Sequence, residues 1–431
     1  MLKWLFLSFV ALCFLPSSAA GYSVLTHQAN VDSCWRRCLV PLLTQRYPGA
    51  TPEQWKEAKS YAYGGSIIQD MGFYPFGSKL FTNLTHYVRS GDFVRNLLDE
   101  AQDRNEYAFA LGAMAHYVAD IKGHSEGTNR AMPSVYPELA AKYGDVITYF
   151  EAPKQHTQLE FAFDVVQLAA GRYRSDNYHD FIGFQVSKPV LERAFQKTYG
   201  LELGQVVLNV DVSIGSFRFA VQQLIPTAAR AAWHAERKNI RKLDPQARRR
   251  DYVYRQSERK FRREYGVKYE KPGFGARLAS KFIGILPKIG PLKPFAFRLP
   301  TPKAEAYFKK SFADVMADYC QILEREKANT TASAKPLPNY DFDTGHTTKA
   351  GEYGLADETY GEWLRKLADK KFEGISRPQQ QDIVQFFGDM SRQPVNEDEK
   401  KAKTQAETRE ALKQLRQLTL VPNESPAKST P

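Results

Sequence analysis

Apolar positions in this chain fall mostly at three- and four-residue steps. The runs "PEQWKEAKSYAYGG", "FVRNLLDEAQDRNEYAFALGAMAHYVADI", "HTQLEFAFDVVQLAAG" and "KPVLERAFQKTYG" all follow the period of a helix with one buried face. A further helical run starts at Val206 and continues to about Lys242. Later helices are predicted around Ala304–Lys327 and near residues 355–390. Strand-like alternation is rare. Three Gly- and Pro-rich stretches, "YGGSIIQDMGFYPFGS", "GHSEGTNRAMPSVYPELAAKYGD" and "KPGFGARLASKFIGILPKIGPLKPF", are expected to break the helices. The pattern predicts an all-α fold with long functional loops.

The chain divides by composition. It opens "MLKWLFLSFVALCFLPSSAAGYS", an early Lys, an apolar run and then small residues, which is the pattern of a secretory signal peptide over residues 1–21. The run is short for a membrane span, and nothing later is long and apolar enough to be one. An exported chain of about 410 residues would remain, enough for one large domain or two ordinary ones. A main helical domain is expected over residues 22–235 and a basic, mainly helical region over 236–395. A charged, partly disordered tail is expected over 396–431, ending in Pro and Ser residues.

Charge is concentrated. Residues 230–303 hold 21 Lys and Arg against 6 Asp and Glu, a net of +15 that exceeds the +12 of the whole chain. A basic segment on an exported protein suits a polyanion or an anionic membrane surface. Its Gly- and Pro-rich part, 273–300, is apolar but carries Pro287, Pro291 and Pro294, so it cannot be a spanning helix. It could lie in the lipid interface, with Phe282, Ile283, Leu286 and Phe295 dipping in and Lys281, Lys288 and Lys293 near head groups. Packing against the main domain is the other reading. Removal of the leader leaves Cys34, Cys38 and Cys320, an odd number that argues against a disulfide framework. Cys34 and Cys38 share a helix face, where a bond between them would be strained, and a bridge to Cys320 is left open.

Candidate chemistry gathers in the first half. Residues four apart on a helix lie on one face. His116 and Asp120 are such a pair, in "FALGAMAHYVADIKGHSEG", and His156 and Glu160 are a second, in "HTQLEFAFD". An imidazole and a carboxylate side by side can grip one divalent ion. Carboxylates among Phe161, Phe163, Met114 and Val118 need a counter-charge, and few basic residues lie in these runs. His27, Asp70, His86 and His124 add donors of the right types, so five of the eight histidines fall between residues 27 and 156.

This order, His27, Asp70, His86, His116-x3-Asp120, His124 and His156-x3-Glu160 close behind a leader, resembles the zinc-dependent phospholipase C family. That family shares its all-helical fold with zinc-dependent single-strand nucleases. The resemblance covers residues 22 to about 235 and implies about three zinc ions. Asp70, His86, His116 and Asp120 would hold the first; His124, His156 and Glu160 the second. His27 and the amine and carbonyl of the mature N-terminal residue, Tyr22 or Gly21 where the family has Trp, would hold the third, with Asp120 bridging. Asp70 would also act as the catalytic group that orients or deprotonates water. The step from Asp120 to His124 is shorter than the family usually shows. The five-residue step from Tyr22 to His27 is that of the nucleases, whereas His156-x3-Glu160 is that of the phospholipases. The function so implied is hydrolysis of a phospholipid to diacylglycerol and a phosphorylated head group. A single-strand nuclease or 3'-nucleotidase acting on nucleic acid, and a non-catalytic zinc-stabilised binding module, are the alternatives.

Overall fold

The computed structural model describes residues 22–74, 76–169, 184–219, 298–328, 336–388 and 398–419, with a few isolated positions between 221 and 248. Residues 1–21, where a leader is expected, and nearly all of the basic segment, including 273–297, lie outside the described residues. Helices are α1 (Val24–Cys34), α2 (Val40–Arg46), α3 (Pro52–Ile68), α4 (Lys79–Tyr87), α5 (Ser90–Glu100), α6 (Arg104–Lys122), α7 (Asn129–Val135) and α8 (Pro137–Tyr143). They continue as α9 (Pro153–Ala169), α10 (Lys188–Tyr199), α11 (Leu203–Val206), α12 (Val210–Phe219), α13 (Pro302–Ala328), α14 (Gly354–Asp369), α15 (Arg377–Phe387) and α16 (Glu399–Gln417). No strand forms among the described residues, and a single antiparallel bridge joins Tyr340 to Thr347. The all-α expectation is met.

Helix α6 is the axle. Asp103 caps its start by accepting from the Glu106 amide, and every residue from Glu106 to Asp120 is buried. A helix apolar on all sides must be wrapped by others. Helix α3, opened by a Thr51–Gln54 capping box, crosses it closely. A Cβ on Gly65 would run into the Phe109 carbonyl, and one on Gly112 into the Ala62 carbonyl. The sequence reading ended the helical run at Gly64 and Gly65 and began a break there, but both lie inside α3, which continues to Ile68. The missing side chains let two backbones approach, and that gain outweighs the poor helix propensity of glycine.

The second expected break is also mostly helical. A π-helical turn, Gly123–Thr128, continues α6 and leads into α7 and α8. Each of these short pieces starts where a neighbour holds it: Pro137 sits at the first turn of α8, and α13 packs over the π turn and α7.

The C-terminal helices complete the same hydrophobic core. Leu25, Phe109 and Phe163 belong to one cluster with Tyr319, Trp363 and Leu412. Cys38 and Cys320 form a disulfide that ties the segment after α1 to α13, and Cys34 stays reduced and buried. Trp363 donates its indole N–H to the Tyr199 carbonyl at 2.8 Å, and Gln379 donates to the Lys197 carbonyl at 3.0 Å, so α14 and α15 dock on α10. Helix α16 lies in the stretch expected to be a charged tail, with Ala411, Leu412 and Leu415 buried against its neighbours. No helix among the described residues is long and apolar enough to cross a membrane.

Candidate metal centre

The crossing of α3 and α6 brings the first donors together. Asp70 lies in the 3-10 turn that ends α3, His116 and Asp120 face it from α6, and His86 comes from the last turn of α4. One ligand atom from each of these four residues lies within 4.8 Å of the others. All are essentially solvent-free, between 0 and 2 % exposed. His86 Nε2 is 3.4 Å from Asp70 Oδ1 and 3.3 Å from Asp120 Oδ2, and His116 Nε2 is 3.2 Å from Asp120 Oδ2.

The other ring nitrogens fix the tautomers. His86 Nδ1 donates to the Thr82 carbonyl at 2.8 Å, and His116 Nδ1 donates to the Ser66 carbonyl at 3.0 Å. A carbonyl can only accept, so both Nε2 lone pairs are left pointing inward. They face carboxylate oxygens that have no hydrogen-bond partner among the described residues. Lone pairs converging in a dry site repel one another unless a cation sits among them.

His27, on α1, approaches from the opposite side. Its Nε2 is 3.3 Å from Asp120 Oδ1, and its ring stacks on His116 at 4.3 Å between centroids. Asp120 therefore turns one oxygen to His27 and the other to His86 and His116. Tyr22 is buried beside His27, and its hydroxyl shares a hydrogen bond of 2.5 Å with Ser311 of α13.

A second group forms one turn further along. The π turn carries His124 onto α9, where His156 and Glu160 stand, and ligand atoms of the three also lie within 4.8 Å of each other. The rings of His124 and His156 stack at 5.1 Å, and His156 Nδ1 is 2.6 Å from Glu160 Oε1. Asn129 Oδ1 accepts from His156 Nε2 at 2.8 Å, which leaves the Nδ1 lone pair aimed at that carboxylate. His124 Nε2 reaches back to Asp120 Oδ2 at 3.7 Å, so the two groups adjoin.

Electrostatics agree with a site that demands positive charge. Burial opposes protonation of His86, yet the Asp120 and Asp70 carboxylates outweigh it and hold the ring up at about 10, so that Nε2 would carry a proton wherever no other cation takes its lone pair. Burial likewise opposes a charge on His124, but Asp343 and Asp120 raise it. His27 and His156 are driven well below the usual imidazole range, by burial and by neighbouring rings. Burial pushes the Asp70 carboxyl up, with His116 and His86 opposing. Asp120 is pulled well down: three imidazoles, His116 first, overcome its desolvation.

The structure also shows residues that the sequence did not reveal. Asp343, from a turn between α13 and α14, places Oδ1 3.4 Å from His124 Nε2. Phe342 lays its ring 5.0 Å from that of His86. Half-buried Phe73 and Tyr149 sit 6.4 Å apart, Phe73 against His86 and Tyr149 against His156, so rings flank the centre where it nears the surface. Phe76 and Phe150, close to Phe73 and Tyr149 in the sequence, are 45 and 49 % exposed. In the third cluster of potential ligands, Cys38 and Cys320 are spent on the disulfide, which leaves Cys34 as its one thiol.

Residues 26–206 match the protein family described as zinc dependent phospholipase C. This part of the chain is therefore similar to zinc-dependent phospholipases C. No curated protein and no solved structure matches the chain. Every predicted side-chain donor of the family pattern from His27 to Glu160 falls in the matched stretch and in the buried centre, and Asp343 falls outside the match.

Proposed function

We propose that this protein is an exported phospholipase C that holds about three zinc ions. The supporting observation is the convergence of buried imidazoles and carboxylates, with both oxygens of Asp70 and Asp120 lacking hydrogen-bond partners among the described residues, in the stretch that matches the family. The donor set suits zinc, which takes neutral imidazole and carboxylate. Asp70, His86, His116 and Asp120 would hold one ion and His124, His156 and Glu160 a second. His27 with the mature N-terminal residue would hold a third, sharing Asp120. When bound, the ions supply Lewis acidity for the phosphodiester and make water a nucleophile near neutral pH.

The chain's own groups do the remaining work. Asp70 lies with its oxygens 3.4–3.9 Å from three imidazoles, placed to accept a proton from attacking water at Oδ1 or Oδ2. Thr82 and Ser66 carbonyls keep His86 and His116 from rotating. Phe73, Tyr149 and the exposed edges of Phe76 and Phe150 offer an apolar rim for acyl chains beside the head group. The disulfide supports export, because such bonds persist in oxidising compartments.

Purified mature protein assayed on phosphatidylcholine and on single-stranded DNA tests the reading. Release of diacylglycerol and phosphocholine, lost with chelator and restored by zinc, is expected. DNA cleavage without lipid cleavage would move the protein to the nuclease reading, and neither activity would leave a binding module.

A further inference from the structure

The turn between α13 and α14 lies outside the family match, yet it reaches the middle of the centre. We propose that Asp343 is a further protein ligand of the metal centre, on the Nε2 side of His124 where Asp120 also lies, so that the C-terminal part of the chain supplies part of the centre. This rests on the zinc reading above.

The two oxygens of Asp343 are treated differently. Oδ2 accepts from the hydroxyls of Tyr87, at 2.9 Å, and of Tyr353. Oδ1 is buried, accepts nothing among the described residues, and points to His124 Nε2 at 3.4 Å. Two phenols holding one oxygen while the other faces an imidazole is the arrangement of a ligating carboxylate with its outer partners in place. No Lys or Arg is ion-paired with Asp343 among the described residues, and its carboxylate is buried near that of Asp120 with the His124 imidazole between them.

The main chain of Asp343 is engaged as well. Its carbonyl accepts from Asn129 Nδ2 at 2.7 Å. That bond fixes which way the Asn129 amide faces, and therefore presents Oδ1 to His156 Nε2 at 2.8 Å. The turn that carries Asp343 is held rigidly. Asp341 Oδ1 accepts from the Asp343 amide at 2.8 Å, and the Phe342 amide donates to the His86 carbonyl at 3.2 Å. Gly345, at φ 72°, lies so close to α6 that a Cβ would meet the Ile121 carbonyl at 2.9 Å. A turn seated this firmly can hold a carboxylate in place for an ion.

The test uses full-length mature protein, wild type, Asp343→Asn and Asp343→Ala, with His346→Ala as a control in the same turn. Asn keeps the volume, and its single carbonyl oxygen can still accept from both tyrosines while its amide N–H donates to the neutral imidazole of His124, but it is a poor zinc ligand. Zinc per chain is measured by elemental analysis after gel filtration, and the rate of zinc transfer to a chromophoric chelator is followed. Melting in excess chelator reports the fold without metal. The expected result is that both Asp343 variants lose one ion or surrender it at least tenfold faster, while the other ions, the control and the metal-free melting of the Asn variant match wild type. Wild-type zinc content and transfer rates in Asp343→Asn would overturn the assignment and leave a structural His–Asp contact. A wild-type protein that binds no zinc would overturn both this inference and the reading it rests on.

Discussion

His86 Nε2 lies 3.4 Å from His116 Nε2, each ring having already donated its other nitrogen to a backbone carbonyl. Two acceptors of one sign are thus held nose to nose in a dry site, with the oxygens of Asp120 and Asp70 around them. The scaffold stabilises this arrangement only if something positive lies between. His116→Ala and Asp120→Asn should each cut phosphodiester hydrolysis by at least about a hundredfold, the upper end of what outer partners of a metal ligand cost. His346→Ala should change it less than about twofold, since that ring is exposed. Equal losses in all three, measured on phosphatidylcholine, would show that the centre is drawn in the wrong place.

Helix crossing and site are one structure. Gly112→Ala puts a methyl against the Ala62 carbonyl and must push α3 away from α6, at a cost of about 1–3 kcal/mol. Asp70 leaves from the end of α3 and His116 from α6, so zinc retention should fall along with the unfolding midpoint. Wild-type melting and full zinc content in this variant would contradict the close approach.

The Cys38–Cys320 bond joins residues 282 positions apart. Replacing both with Ser should lower stability by about 2–5 kcal/mol, chiefly by releasing the unfolded chain. Urea unfolding with and without a reductant checks this: reductant should move the wild type towards the variant and leave the variant unmoved.

Asp164 ties α1 to α9, accepting from the Leu25 amide at 2.9 Å and the Thr26 amide at 3.0 Å. Burial nonetheless lifts its carboxyl from 3.8 to about 6, against the pull of those donors. The folded chain therefore holds this proton more tightly than the unfolded chain. Its contribution is fully present below pH 3.8 and is lost as pH rises through about 6, a swing of about 3 kcal/mol. Asp164→Asn carries no such proton, so the stability of wild type relative to the variant should fall by that amount between pH 4 and 7. Urea midpoints of both proteins across this range, with chelator present throughout, measure it. Parallel curves would place the carboxyl at its ordinary value.

The basic segment is expected to govern access to lipid rather than the chemical step. Lys281, Lys288 and Lys293 lie outside the described residues and outside the set of metal donors. Changing all three to Gln should weaken binding to anionic vesicles by about 3 kcal/mol at most, and by less in high salt. Turnover of a short soluble phosphodiester should stay unchanged. Unaltered vesicle binding would mean that the segment does not meet the membrane.

The helical ligand pairs were legible because their geometry is local. A four-residue step on a helix fixes His116 against Asp120 and His156 against Glu160 whatever the rest of the chain does. Leucine and phenylalanine periodicity announced the helices for the same reason. Gly64 and Gly65 misled because the benefit of a bare backbone comes from α6, which is distant in sequence. The partner of Cys38 was open among the remaining cysteines, and only the packing of α13 selects Cys320. Asp343 gave no signal at all: an Asp in "NYDFDTGH" looks like any turn carboxylate. Its meaning arises from Tyr87, Asn129 and His124, all brought to it by the tertiary fold.

The turn that carries Phe342 and Asp343 also sets an order of events. A ribosome delivers His27, His86, His116 and His156 first, and the turn is made only after α13. Until it docks, the His86 carbonyl has not met the Phe342 amide, Asn129 has not met the Asp343 carbonyl, and Tyr87 has not met the Asp343 carboxylate. A nascent chain halted before that point owns most of the donors but not the wall that seals them. The centre cannot be complete until the chain has been made past residue 343.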